Sequence, residues 1–434
     1  MIDITPEFKI ALDLMEGSAP LVFITGKAGT GKSTLLEYFR ENTHKNIAVL
    51  APTGVAALNV NGETIHSFFK FRSGLTPSSV KRAKDRELYE CLDSIVIDEV
   101  SMLRADLLDL IDSFLRKNGP KRSLPFGGVR MIFVGDLFQL PPVVTSEEEQ
   151  FFSSYYPSPY FFDAYSIRTL PMAYAELSTV YRQQDQSFIE LLNSLRENQM
   201  SEFEYERLAT RVVRGATPEL SRYQVHLTTT NRMADQINHA HLNRLVGEAW
   251  KFSAAIEGDV HEKHFPNAKE LFLKPRAQVM LLNNDPSGRW VNGSLAEVVG
   301  VEYDHDAECD VVGVELEDGR IEEVKPHRWE IFKYHFDTET QGIHADPVGM
   351  FAQYPMKLAW AVTIHKAQGK TFDRCVIDLG YGAFAHGQAY VALSRCRSLE
   401  GITLKRQLAP RDIHMDERIL TYLRKLAKNN FSNI

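Results

Sequence analysis

A chain of 434 residues with 57 acidic and 49 basic side chains, a formal charge of −8, has room for two to four domains and is not a wholesale polyanion binder; a nucleic-acid partner would need a local cationic path. Its four cysteines, at 91, 309, 375 and 396, make no CxxC pair and show no His/Cys ligand spacing, so neither a disulfide framework nor a zinc site is indicated and a reducing compartment fits. The opening MIDITPEFKIALDLM has no signal or transit pattern and no apolar run approaches a membrane span, so a cytoplasmic protein without a membrane partner is expected.

In chain order, the apolar run PLVFIT at 20–25 feeds GKAGTGKS at 26–33, a full match to GxxxxGK[ST] between a predicted strand and a predicted helix. Such a turn cradles phosphates with its backbone N–H groups. Gly26, Ala28, Gly29, Thr30, Gly31 and Thr34 are therefore expected at the nucleotide, Lys32 on the β and γ phosphates and Ser33 on magnesium, with ATP or a relative as ligand. KSTLLEYFR has helical periodicity, with Leu35, Leu36 and Phe39 turned inward. The strand SIVIDE at 94–99 ends in two carboxylates. Asp98 is expected to hold magnesium through water and Glu99 to polarise the attacking water. VRMIFVGD at 129–136 leads to Gln139 in LFQLPPV, past a strand's carboxyl end, where an amide can sense the γ-phosphate; Pro141 and Pro142 stiffen that loop.

Strand and helix patterns alternate to about residue 170, giving an α/β domain over 1–175. The alternation restarts without a P-loop: AELSTVYR as a strand exit, DQSFIELLNSLRENQ as a helix, QVHLTTT as a strand, and NRMADQINHAHLNRL as a helix capped by Asn231. It resumes with RCVIDLG, GQAYVALSRCR and ITLKR, so 176–250 and 346–434 form a second α/β domain. Between them, 251–345 holds short alternating strands with turns at DPSGRW and LEDGR, which suggests an inserted β-barrel or a β extension of the second sheet. Arg182 and Arg395 follow segments of the second domain; each is a candidate finger for the γ-phosphate across a cleft or a surface ion-pair residue.

GKAGTGKST, APTGVAAL, TIHSFF, IDEVSMLR, GDLFQLPPV, VYRQ, TIHKAQGKTFD and YVALSRCRS occur in the order of superfamily-one helicase motifs, and EVSMLRADLLDLIDSFLR at 99–116 resembles the signature of the Pif (petite integration frequency) DNA helicases. The resemblance implies two RecA-like lobes, a wedge in the first, an SH3-like β-barrel in the second, and ATP with Mg²⁺ driving 5′ to 3′ movement on single-stranded DNA. Implied partners are single-stranded DNA and forked or 5′-tailed duplexes, with G-quadruplexes and RNA–DNA hybrids as further substrates. It further implies a monomer, or a protein weakly self-associating on DNA, near the nucleoid, serving DNA repair, recombination and telomere maintenance. By the same match Gln139, Arg182 and Arg395 meet the γ-phosphate, while Gln368 and Gly369 lie in a loop coupling nucleotide to DNA. One departure stands out: Phe8 occupies the place of the glutamine that reads adenine in this group, which puts adenine selectivity in doubt unless base stacking or backbone contacts near Ile4 to Phe8 replace it.

A motor indifferent to sequence grips phosphates through N–H groups, hydroxyls and a few cations, and stacks bases on aromatics. The candidates are Pro52, Thr53, Gly54 and Val55 at a strand-to-helix turn, His66, Ser67 and Phe68 in TIHSFF, Thr229 and Asn231, Asn292 and Gly293 in RWVNGS, and Thr363, His365 and Lys366. His66 and His365 fit equally as satisfied structural imidazoles, and Trp290 as barrel core. Of the adjacent Phe68 and Phe69, one is expected to face inward and one outward. The basic stretch KFRSGLTPSSVKRAK at 70–84, within an insert at about 66–84, is either the wedge that meets a duplex fork or a plain surface loop. Leu103, Leu107, Leu110, Ile111, Phe114 and Leu115 form an apolar helical face in the signature, which leaves only its polar edge for function. Two other accounts suit the same motifs: a nucleotide-controlled binding or remodelling protein without processive movement, and an RNA helicase.

Overall fold

Five largely apolar runs and one two-residue polar segment become parallel strands: β1 (Leu21–Gly26), β2 (Ile47–Ala51), β3 (Glu63–Thr64), β4 (Ser94–Ile97), β5 (Arg130–Val134) and β6 (Met172–Leu177), the polar one being β3. They form one sheet in the order β3-β2-β4-β5-β1-β6. Near-continuous burial along β1, β2, β4 and β5 is what a parallel sheet covered on both faces demands. The helices that belong with this sheet are α1 (Pro6–Glu16), α2 (Lys32–Asn42), α3 (Gly54–Asn59), α4 (Ile65–Phe68), α5 (Arg86–Glu90), α6 (Ala105–Asn118) and α7 (Ser146–Tyr155). Leu35, Leu36 and Phe39 are buried as their spacing predicts, in a core shared with Phe8, Val22, Ile24, Val96 and Ile132. The computed structural model describes residues 4–71, 80–183, 185–213, 222–258, 262, 265–337, 342–380, 382–383 and 385–431.

The chain divides by contact into two compact units: Met1–Arg182 with Phe332–Pro347 and Met415–Ile434, and Gln183–Ile331 with Val348–His414. In the second unit, α8 (Gln186–Arg196), α9 (Glu202–Ala209) and α10 (Asn231–Arg244) flank β7 (Val225–Thr228). Eight strands follow in sequence: β8 (Trp250–Ser253), β9 (Ala255–Gly258), β10 (Glu270–Leu273), β11 (Gln278–Leu281), β12 (Leu295–Asp304), β13 (Cys309–Leu316), β14 (Ile321–Val324) and β15 (His327–Asp337). Next come β16 (Gly342–Gln353), β17 (Met356–Leu358), β18 (Ala361–Thr363), β19 (Cys375–Asp378), α11 (Gln388–Leu393), β20 (Ile402–Leu404) and α12 (Glu417–Phe431), of which α12 packs on β6 in the first unit. A parallel sheet, β18-β7-β19-β20, stands beside an antiparallel one, β14-β13-β12-β11-β17. The antiparallel strands close on their own apolar core around Trp290, Val279, Val298, Val312 and Val314, as an inserted barrel requires. Strands β15, β16 and β9 pair in that order, a long ribbon that alternation alone does not announce.

Several local expectations change. Helix α6 starts at Ala105, which rotates Leu108 into the core and leaves Leu107 half-buried, one position off the predicted stripe. Its polar edge is structural. Asp109 accepts from the Tyr156 hydroxyl at 2.9 Å and the Tyr165 and Ser166 amides at 3.1 and 2.8 Å, and Asp112 accepts from the Phe126 amide at 2.6 Å. Phe68 and Phe69 both lie inside, each 2 % exposed, because Tyr89 and Phe114 build an aromatic cluster around the pair. Thr230 rather than Asn231 caps α10: its hydroxyl accepts from the Met233 amide at 3.3 Å. Residues 176 and 177, expected in the second domain, complete β6 in the first sheet.

Helix α1 is tied to the exit of β6 by one carboxylate. Glu7 accepts from the Ser178 and Thr179 amides at 3.0 and 2.9 Å and from the Ser178 hydroxyl. Burial raises its carboxyl, but the hydrogen bonds from Ser178 and Thr179 outweigh burial and hold it at about 2, against an ordinary 4.5. A depressed folded value means that the contribution is full above about 4.5 and is lost as pH falls towards 2. Glu7→Gln should therefore lower the urea midpoint near neutral pH, and the gap from the unaltered chain should narrow steadily below about pH 4; a gap that does not change with pH would contradict the assignment.

Candidate nucleotide and nucleic-acid sites

The turn between β1 and α2 has the backbone its glycines permit. Gly29 and Gly31 sit at φ 82° and 83°, the left-handed region where a side chain is strained. A Cβ on Gly29 would also come within 2.5 Å of the Arg182 Cβ. The Tyr181 amide donates to the Gly29 carbonyl at 2.9 Å, so the VYR segment is stitched to the loop within the first unit. Lys32 folds its ammonium onto the Gly26 and Lys27 carbonyls at 2.7 and 2.9 Å. Ala28 and Thr30 are buried in the loop, the Thr30 hydroxyl donating to the Lys27 carbonyl, while Ser33 and Thr34 are exposed at the start of α2.

Asp98 and Glu99 follow β4. Asp98 is 8 % exposed. Burial pushes its carboxyl up to about 6, against the Glu99 amide and the Lys32 charge, which both lower it. A buried carboxylate in this condition suits a divalent cation, which compensates the charge that burial penalises. Glu99 adopts φ 49°, ψ 44°, a left-handed conformation costing a non-glycine residue about 1–2 kcal/mol. Gln139 is buried, its side-chain amide 3.5 Å from Asp136 and its backbone amide donating to the Asp136 carbonyl at 3.0 Å. Two further residues enter here that the motifs do not single out. Asp136 is fully buried, and its carboxylate also accepts from the Phe138 amide at 3.2 Å; an acid two residues past a buried strand, close to the pattern that marks Asp98, is its signal. Gln183 follows Arg182 in the chain and donates to the Ser394 and Cys396 carbonyls at 3.1 and 3.2 Å, a long-range pairing with no local signal.

In the second unit Arg395 is 1 % exposed and donates to the Val391 carbonyl, the Ser394 hydroxyl and the Lys370 carbonyl at 2.9, 2.9 and 3.3 Å. Gln368 is half-buried and Gly369 exposed at φ 80°. Arg182, by contrast, is half-buried beside Gly29 in the first unit.

Among the strand-gripping candidates, Pro52, Thr53 and Gly54 are half-buried where β2 turns into α3, Val55 follows in that helix, and the Thr53 hydroxyl accepts from the Ala56 amide at 3.3 Å. His66 is exposed and Ser67 half-buried in α4. Phe68 is enclosed by Tyr89, whose hydroxyl donates to its carbonyl at 2.8 Å, so its ring offers no face for a base. Thr229 is half-buried and Asn231 exposed at the entry to α10. Thr363 is buried, its hydroxyl accepting from the Lys366 amide at 3.3 Å; His365 is half-buried, with its imidazole lowered by burial; Lys366 is exposed. Asn292 and Gly293 form the turn into β12, and Trp290 packs in the barrel with its indole N–H on the Asn283 side-chain oxygen at 3.0 Å. Phe8 is buried edge-on to Tyr38, which removes it as a stacking platform for adenine. Of the proposed wedge, residues 72–79 lie outside the described residues. Residues 80–83 run along the end of α6, held by Lys117 on the Val80 carbonyl and by Asn118 on the Ala83 amide.

The family model described as PIF1-like helicase matches residues 8–206. The chain is 32 % identical over 442 residues to the ATP-dependent DNA helicase Pif1 of Bdellovibrio bacteriovorus, covering 98 % of this chain and 92 % of that one. It is 34 % identical to the mouse ATP-dependent DNA helicase PIF1 over 92 % of its length, but spans only 60 % of that longer protein. Among solved structures, Bacteroides sp Pif1 in complex with ADP-AlF4 matches at TM-score 0.89 and 33 % identity over 99 % of this chain and 98 % of that one. The same protein bound to ssDNA matches at TM-score 0.70 and 34 % identity over the same shares. Two RecA-like lobes, the second bearing a small SH3-like barrel, account for both parallel sheets and the antiparallel insert. The chain belongs to the PIF1-like helicase family.

Proposed function

We propose that this protein is an ATP-dependent DNA helicase that moves 5′ to 3′ along single-stranded DNA and parts forked or 5′-tailed duplex. The observation that carries it is the grouping at the carboxyl ends of β1, β4 and β5: an intact phosphate turn with Lys32, the Asp98 and Glu99 pair, and Gln139 held by Asp136. Support for DNA as the track comes from relatives named DNA helicases and from a related structure bound to ssDNA.

Lys32 leaves the carbonyls of its own loop for the β and γ phosphates of ATP. Ser33, and Asp98 through water, would hold magnesium, which would supply charge neutralisation at the phosphate oxygens. Glu99 polarises the attacking water, and Gln139 orients it with Asp136 as its anchor. Arg182 and Arg395 serve as fingers on the terminal phosphate, so hydrolysis changes how the two lobes are drawn together. Residues 52–55, His66, Ser67, Thr229, Asn231, Asn292, Gly293, Thr363, His365 and Lys366 form the strand path, with Gln368 and Gly369 linking it to the nucleotide. Domain limits near 1–175, with β6 carrying the first to Leu177, then on to 250 with 346–434, and 251–345, and a wedge within 66–84, complete the proposal. The bacterial relative supports a cytoplasmic site of action, and among the described residues no helix is long and apolar enough to cross a membrane.

Lys32→Ala should lower ATP turnover by about 10²-fold or more, the scale expected when a transition-state charge partner is removed; retained turnover would show the loop to be misassigned. Glu99→Gln should keep nucleotide binding in a fluorescent-ADP titration while slowing turnover by about 10²-fold or more. Loss of binding instead would place Glu99 in the fold. On tailed duplexes, unwinding should need ATP and a 5′ tail; equal activity on 3′-tailed substrate would overturn the polarity, and stimulation by RNA but not DNA would favour an RNA track.

A further inference from the structure

We infer that Lys370 is a positioning residue that clips the barrel turn at Asn292 and Gly293 to the segment bearing Arg395, so that nucleotide state and strand grip communicate through one ammonium. The inference rests on the helicase reading above. Lys370 is 9 % exposed, and its Nζ donates to the Asn292 side-chain oxygen at 2.6 Å. The lysine stem lies flat on Gly293, where a built Cβ would stand 3.5 Å from the Lys370 Cγ; at φ 102° that position already favours glycine. On its other side the backbone is sewn to the arginine segment. The Lys370 carbonyl accepts from Arg395, the Phe372 amide donates to the Arg395 carbonyl at 2.8 Å, and the Arg397 amide donates to the Phe372 carbonyl at 3.1 Å. The barrel turn is anchored in turn by the Asn292 amide on Asn284 at 2.8 Å and the Gly293 amide on the Leu281 carbonyl of β11 at 2.8 Å. A continuous chain of bonds thus runs from the Arg395 guanidinium to a turn expected to touch DNA.

The chemistry of the clip suits a switch. An apolar side chain of equal length would hold two buried segments together at less desolvation cost than an ammonium does. Burial alone lowers the Lys370 ammonium to about 8, and no carboxylate among the described residues is within ion-pair distance of it. Lys357 is pushed to about 7 by burial and by the Lys370 and Lys366 charges, so the Lys370 ammonium has like-charged neighbours and, among the described residues, no acid to offset them. A DNA phosphate arriving there offers charged acceptors that outcompete the neutral Asn292 amide for the Lys370 donors. Grip on the strand therefore loosens the clip, and movement of the Arg395 segment resets it.

The test is a coupling measurement on the full chain: the Kd for a fluorescent oligo-dT without nucleotide and with ADP plus aluminium fluoride. The unaltered protein should show affinities that differ on the order of 10-fold. Lys370→Met should bring the ratio to within about twofold of one, with Lys370→Arg recovering part of it. Asn292→Ala, which breaks the same bond from its less buried side, should do likewise, and the double variant should add nothing further. A Lys370→Met protein with an unchanged ratio, or additive effects in the double variant, would overturn the inference while leaving the helicase reading intact. No nucleotide effect on DNA affinity in the unaltered protein would overturn both.

Discussion

Lys32 lies against the carbonyl oxygens of its own loop, and much of the first unit is arranged so that a phosphate can take their place. The ammonium cannot drift far, because the loop is pinned on both sides: Gly31 starts α2 in a left-handed turn, and the Tyr181 amide holds the Gly29 carbonyl. Asp98, buried at the end of a neighbouring strand, is the matching cost. Its carboxylate is poorly solvated without a cation, and that is the condition under which a metal-bearing triphosphate is bound most favourably. Strain at Glu99 belongs to the same design: the left-handed backbone falls on the residue that follows Asp98, and backbone strain gathers at functional sites.

Elements with a strong period were legible in the chain alone. The strand runs at 20–25, 94–99 and 129–136 could be placed because parallel strands covered on both faces are continuously apolar, and the loop at 26–33 because its glycines have no other use. What could not be placed depends on partners far along the chain. Phe68 and Phe69 look like one inward and one outward ring until Tyr89 and Phe114 supply walls for both. The phase of α6 is set by its start at Ala105, which shifts the buried leucine from 107 to 108. Gln183 bonds to carbonyls more than two hundred residues away, and no window of sequence contains that information.

The second unit treats charge differently. Arg395 is buried with its donors on neutral oxygens, and Lys370 with an amide, so two cations are held where water is scarce and where an incoming anion gains most. In the barrel, Trp290 and its aliphatic neighbours form an ordinary core, which keeps the turn carrying Asn292 rigid enough to report movement. The net charge of −8 is therefore no obstacle to a polyanionic track: acids are frequent on β12 to β14, where Arg222 pairs with Glu297 and Glu315, while Lys370 stands at the turn.

On the proposed function, hydrolysis at the Lys32 turn drives directional movement along a strand. Stopped-flow fluorescence with oligo-dT tracks of increasing length, dye-labelled at one end or the other, tests it directly. Movement 5′ to 3′ predicts a delay before the signal that grows linearly with track length for the 3′ label and is independent of length for the 5′ label. A signal that does not depend on length at either end, with ATP still consumed, would contradict the account.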